Sequence, residues 1–230
     1  MIDFEKTAKN LGLKFNNISL FKEALTHRSF LNENREWKIP HNERLEFLGD
    51  SVLGFIVADY LIEKYPYLEE GELTSLRAAL VNSYSLMEIA KKIDLEKYLL
   101  VSRGEAKESK NSRSYLLANA VEALIAALYL DGGIENARQF VEKYLFQKAE
   151  EILASDSYKD PKSLFQEKSQ ELLEITPVYK TFRAWGPDHA KEFEVGVYLG
   201  EELIAVSSGY SKQEAEIEAA KKALEIKGWI

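Results

Sequence analysis

No cysteine occurs among the 230 residues, which excludes disulfides and thiolate metal sites and fits a reducing compartment, here expected to be the cytoplasm. No stretch approaches the roughly 20 consecutive apolar residues of a membrane span. The opening MIDFEKTAKNLG also lacks the basic-then-apolar pattern of a secretory leader, so no membrane partner is expected. Basic residues are outnumbered: 30 Lys and Arg stand against 38 Asp and Glu, a formal charge of −8 with a pI near 5.2. Surfaces that neutralise phosphates are normally basic, so net charge alone argues against a nucleic-acid partner, although it does not locate patches. Histidine is scarce too. His27, His41 and His189 lie near no second acid at Glu-x-x-His spacing, which argues against a carboxylate di-iron bundle.

What is present divides the chain in two. Over residues 1–154 apolar residues recur at helical spacing, in Leu20–Leu31, Leu45–Tyr65, Leu73–Ile93 and Leu116–Leu130. Ile39-Pro40, Tyr65-Pro66 and Asp131-Gly132-Gly133 separate these runs, and a polar stretch, SRGEAKESKNSRS, reads as a surface loop over 102–114. Residues 155–160 read as a linker. Asp160-Pro161 then gives a capping acid and a first-turn proline for a helix reaching about Leu173. Beyond Pro177 the period changes to two, predicting strands over Val178–Trp185, Glu192–Leu199 and Leu203–Ser207. Ser211-Lys-Gln-Glu214 has the capping-box pattern of a last helix. The expected fold class is an all-α domain (1–154) followed by a small α+β domain of order α-β-β-β-α (161–230).

Two sets of acids stand where acids are costly. At 100° per residue with Glu43 at zero, Glu46 falls at about 300° and Asp50 at about 340°, one stripe of the helix that opens NERLEFLGDSVLGF. That stripe continues into Gly54, Val57 and Leu61, while Leu45, Leu48, Val52, Phe55 and Ile56 take the opposite side. A solvated acidic face is the plain reading, and a functional one is equally open. The second set lies in LLANAVEALIAALYL, 15 residues from Leu116 to Leu130, where Asn119 and Glu122 are the strongly polar positions and share a face at i, i+3. A carboxylate in so apolar a helix calls for a partner. Crossing the two helices would gather Glu46, Asp50, Asn119 and Glu122. Oxygen donors of this kind suit Mg²⁺ or Mn²⁺, ions that activate water and neutralise phosphate. A bundle with buried polar pairs is the alternative.

NERLEFLGDSVL (42–53), ALTHRSF (24–30), EEGELTSLRAALVN (69–82) and VEALIAALYLDGG (121–133) resemble, in order and spacing, the bacterial ribonuclease III family. The last 70 residues resemble its double-stranded RNA-binding domain. The resemblance covers nearly the whole chain. It implies a homodimeric endoribonuclease that hydrolyses double-stranded RNA with Mg²⁺, Mn²⁺ being able to substitute, leaving 5′-phosphate and 3′-hydroxyl ends in rRNA and mRNA processing. By motif position Glu46, Asp50 and Glu122 match the catalytic, metal-binding acids. Asn119 falls where many members have Asp. Glu43 and Glu70 match acids of the dimer-spanning valley and site periphery, and Phe47 an aromatic that packs into the partner subunit, a plain core phenylalanine being equally compatible with the sequence. Gln166, Glu167, His189, Ser211 and Lys212 match RNA-contacting positions. Asn119 can ligate Mg²⁺ through its oxygen but brings no charge. This leaves a second reading, a catalytically weakened or inactive RNA-binding protein of the same fold.

Overall fold

The computed structural model describes residues 2–107, 110–154, 158–187 and 191–230, with side chains left out at 107 and 110–112. The chain divides into two compact units, Met1–Ile152 and Leu153–Ile230.

The first unit is helical throughout: α1 (Phe4–Asn10), α2 (Ile18–Ala24), α3 (Arg28–Glu33), α4 (Glu43–Lys64), α5 (Glu70–Val81), α6 (Ser83–Lys92), α7 (Lys110–Val141) and α8 (Gln147–Ala154), with a wider helical turn at Glu142–Phe146 between the last two. Caps set several of these boundaries. Asn17 opens α2 and Asn82 opens α6, each side-chain oxygen accepting a backbone N–H of the first turn. Asn82 stands in extended backbone (φ −67°, ψ 160°) and splits the expected run Leu73–Ile93 into α5 and α6. The expected run Leu20–Leu31 is likewise two helices. The chain leaves helical geometry after α2 because Leu25 and His27 pair with Leu100, through Leu100 N–H to Leu25 O (2.8 Å) and His27 N–H to Leu100 O (2.9 Å). The stretch read as a loop at 102–114 holds a short helical turn at Glu105–Lys107, and α7 begins at Lys110.

The core lies between α4 and α7, where Leu53, Ile56, Val57, Leu124, Ile125 and Ala126 are fully buried. The helical run of α7 turns at Gly133, whose φ of 78° and ψ of −175° suit only glycine, as the Asp131-Gly132-Gly133 breaker predicts. Arg113–Ala154 is long and apolar enough, by length and composition, to cross a membrane, at a mean hydropathy of 1.4 over its best window. Just over half of that window, 56%, is buried inside the unit, so its apolar face is occupied by the core.

The second unit runs α9 (Pro161–Leu173), β1 (Pro177–Trp185), β2 (Glu192–Leu199), β3 (Glu202–Gly209) and α10 (Lys212–Lys227). The strands form one antiparallel sheet in the order β1-β2-β3. Asp160 caps α9 by accepting from the N–H groups of Lys162 and Ser163, with Pro161 at the first position. Ser211 caps α10 by accepting from Glu214 N–H (3.0 Å), and the Glu214 carboxylate reaches back one residue further than expected, to Tyr210 N–H (2.7 Å). Val197 and Leu199, alternate residues of β2, and the consecutive Ile204 and Ala205, brought to one face by a bulge where Val197 pairs with Ala205 and Tyr198 with Leu203, close a core with Leu164, Phe165, Ala219, Ala220 and Leu224. The alanine stripe of α10 is what lets that helix lie close to the strands.

Candidate active site

The site exists because α4 and α7 touch backbone to backbone at one place. A Cβ built on Gly49 would stand 1.9 Å from the carbonyl oxygen of Glu122 and 2.4 Å from its carbon. Glycine is therefore required there. Glu46 and Asp50 lie one turn before and one residue after the crossing on α4, while Glu122 is the crossing residue on α7 and Asn119 the turn before it.

Electrostatics record how close the groups are. The Glu122 carboxyl is pushed up to about 7, by burial first, then by Asp50 and by Glu46. The Glu46 carboxyl is also raised, by burial first. A side-chain hydrogen bond with Asn119 opposes that rise, and Glu43 adds to it. A carboxylate can only accept, so the Asn119 amide donates to Glu46. An aspartate at 119 could not do this while ionised.

Among the described residues no three Asp, Glu or His side chains close on one point as they stand. The donor set nevertheless fits a hard divalent cation in kind. It is all oxygen, it carries three potential negative charges, and two of its carboxyls are held above their ordinary range by burial and like charge. A divalent ion would offset that repulsion.

Glu43 lies beside this set, paired with Arg28 (3.3 Å) and facing His41 Nδ1 at 3.8 Å. Glu70 is exposed on the first turn of α5, accepts a hydrogen bond from Thr74 (3.0 Å), and is not among the charges that shift Glu46 or Glu122. Phe47 is 80% exposed, so the plain core reading of this phenylalanine is set aside. Phe55, expected on the apolar side of α4, is a correction: it is 57% exposed, and with Phe47 and Ile62 it makes the outward face of α4 apolar. Helical angle alone put Phe55 with Val52 and Ile56, but the neighbouring helices cover only part of that side.

Sequence reasoning missed three residues that shape the site. Gly49 lies inside the quoted LGD, and its lack of a side chain was the available signal. Asn42 is buried; it donates from its backbone N–H to Thr26 O (2.8 Å) and from Nδ2 to Ala24 O (3.2 Å), so it ties the start of α4 to the segment before α3. His27, in ALTHRSF, joins Asn42, Glu43, Glu46, Leu99, Leu116 and Asn119 around a hollow of about 180 Å³. Burial holds the His27 ring below its ordinary pKa, against the opposing pull of Glu105 and Glu43.

In the second unit Gln166 and Glu167 are exposed on α9, Glu167 pairing with Lys159 (3.0 Å). Ser211 and Lys212 are exposed at the start of α10. His189 lies outside the described residues.

Comparison with known proteins follows the same division. A family model described as Ribonuclease-III-like matches residues 17–149, and one described as the double-stranded RNA binding motif matches 161–227. "Ribonuclease 3" of a Nitratiruptor species is 44% identical over 227 residues, 98% of this chain and 97% of the relative. "Ribonuclease 3" of Carboxydothermus hydrogenoformans is 46% identical over 218 residues, 95% of this chain and 93% of the relative. Among solved structures, the nuclease domain of the Campylobacter jejuni enzyme, described for flexibility in a region involved in dimer formation, aligns with a TM-score of 0.55 at 38% identity, covering 62% of this chain and 98% of that one.

Proposed function

This chain belongs to the ribonuclease III family, and on that premise we propose that Glu46, Asp50, Asn119 and Glu122 are the catalytic and metal-holding residues of an endoribonuclease acting on double-stranded RNA. The crossing at Gly49 and Glu122 carries the reading, because it brings the two helices that bear the separated motifs into backbone contact beside these side chains. Mg²⁺ held there, with Mn²⁺ as a substitute, supplies charge neutralisation for the phosphodiester and an acidified water. The residues themselves contribute order: Asn119 fixes the Glu46 carboxylate by donating to it, and the crossing fixes Glu122 against Asp50. The products are 5′-phosphate and 3′-hydroxyl ends, and the setting is rRNA and mRNA processing in the cytoplasm. A binding-only protein of the same fold draws no support from relatives that are named as ribonucleases over nearly their full length.

Duplex RNA is held by the C-terminal unit, through Gln166 and Glu167 on α9, His189 before β2, and Ser211 with Lys212 at the N-terminus of α10, a shape-reading arrangement along the minor groove. The enzyme is a homodimer, with Phe47 on the open apolar face of α4 as an anchor. Phe47→Asp removes one buried aromatic per subunit twice over by symmetry, about 4 kcal/mol in all, and weakens the dimer about 10³-fold. Sedimentation across a concentration series measures this; an unchanged dimer would place the interface elsewhere.

The direct test is Mg²⁺-dependent cleavage of a long double-stranded RNA, with Asn119→Asp run beside the parent chain. The parent cleaves. Asn119→Asp cleaves at lower Mg²⁺, because it adds a fourth carboxylate and removes the donor that now satisfies Glu46. Failure of both chains to cut while both bind duplex would overturn the assignment.

A further inference from the structure

We propose that the hollow beside the acid cluster seats the nucleotide next to the scissile phosphate, and that His27 positions it by donating a hydrogen bond from Nε2 to an oxygen of its sugar-phosphate backbone. The proposal rests on the endonuclease reading and adds a substrate-positioning residue to it.

The hydrogen bonds around the ring decide its tautomer. Ser29 N–H points at His27 Nδ1 (3.3 Å), and a backbone N–H can only donate. Ser29 Oγ lies 2.8 Å from the same nitrogen and itself accepts from Ser102 N–H at 3.0 Å, so its hydroxyl proton is free to go to Nδ1. Two donors thus converge on Nδ1, which leaves the ring proton on Nε2. The ring lines the hollow shared with Glu43, Glu46 and Asn119, and Nε2 is its proton-bearing nitrogen.

The hollow suits part of a nucleotide rather than a whole ligand. At about 180 Å³ it is lined by the polar groups of Asn42, Glu43, Glu46 and Asn119 together with apolar Leu99 and Leu116. Its acids leave no role for another acceptor, and a neutral donor is what an RNA oxygen beside two carboxylates lacks. The backbone that carries His27 is anchored without its side chain, by His27 N–H to Leu100 O (2.9 Å) and Asn42 N–H to Thr26 O (2.8 Å). Side-chain replacements therefore leave the frame in place.

His27 also has a plain structural role, since its Nδ1 caps α3. Two conservative variants separate the roles. His27→Asn places an acceptor near the Nδ1 position and keeps the cap but has no donor at Nε2. His27→Gln places an amide N–H near the Nε2 position and gives up the cap. The readouts are thermal melting, duplex affinity without divalent cation, and steady-state cleavage at saturating Mg²⁺. The expected result is that His27→Asn melts with the parent, binds duplex equally, and loses about tenfold in kcat with little change in KM, the loss of one hydrogen bond made as the strand is positioned. His27→Gln melts lower yet keeps kcat within about threefold of the parent. Parent-like kcat in His27→Asn, or a larger kcat loss in His27→Gln than in His27→Asn, overturns the proposal and leaves His27 as a cap alone. If the parent chain does not cleave, the endonuclease reading fails, and this one falls with it.

Discussion

Glu122→Gln stops cleavage of double-stranded RNA, lowering kcat about 10³-fold or more at saturating Mg²⁺, while duplex binding by the C-terminal unit stays as it was. The size of the effect follows from position. Glu122 sits among fully buried apolar residues of α7, its backbone pressed on Gly49, and its carboxyl is held up to about 7 by burial and then by Asp50 and Glu46. A group so placed gains most from a divalent cation, and glutamine gives that cation one charge less to bind. The same shift makes a second, activity-free prediction. With a folded-state pKa of about 7 against an ordinary 4.5, the folded protein binds more protons than the unfolded chain between those values. Without divalent cation, stability therefore falls as pH rises from about 4.5 to about 7 and is level beyond, an effect on the order of 1 kcal/mol after allowing for the open half of the side chain. Glu122→Gln lacks this fall, so at pH 8 it melts above the parent in EDTA and equals it at pH 4. Added Mg²⁺ raises the melting temperature of the parent at pH 8 and does little for the variant. Calorimetry with and without Mg²⁺ reads this directly. Parent-like turnover in Glu122→Gln would remove Glu122 from the catalytic set.

Gly49→Ala is expected to damage both stability and activity although it adds a single methyl group. The atoms it would meet belong to the Glu122 backbone, at 1.9 and 2.4 Å, and cannot swing aside as a flexible side chain can. The two helices must part, and around the crossing Leu53, Ile56, Leu124 and Ile125 are fully buried, in an interior whose close packing leaves little room to absorb the shift. The cost is about 3 kcal/mol or more, a fall in melting temperature of about 10 °C for a chain of this size. What survives folded has its acids misplaced on the scale of an ångström, which costs about 100-fold in kcat. Gly71→Ala on α5, where nothing lies within 4 Å, is the control and leaves melting and cleavage unchanged. Gly49→Ala that melts and cleaves like the parent would mean the helix crossing does not organise the site.

Much of the architecture was legible in the residues. Asp160-Pro161 and Ser211 announced α9 and α10 because caps act within one turn, and Pro177 with the change of period from 3.6 to 2 announced the sheet. Gly133 marked the turn of α7 because only glycine takes that backbone without strain. The four candidate site residues were legible too, as acids and an amide at spacings that a solvated helix does not require, and the family motifs named the same positions.

What the residues did not disclose depends on distances between segments far apart in the chain. Helical spacing predicted one helix over Leu20–Leu31, but Leu100, some 70 residues on, draws Leu25 and His27 out of the helix by backbone pairing. Helical angle placed Phe55 inside, yet burial depends on how far a neighbour reaches over that side, and here the cover stops short and leaves Phe55 57% exposed. Asn119 was readable as a missing charge, but its donation to Glu46 was not, and neither was the contact of Gly49 with Glu122. Composition, caps and periodicity are local, so the sequence by itself determined the elements, their order and the identity of the chemical groups. Tertiary structure decided which groups meet, because hydrogen bonding, desolvation and charge repulsion act over a few ångströms of space, and only the packed helices set those separations.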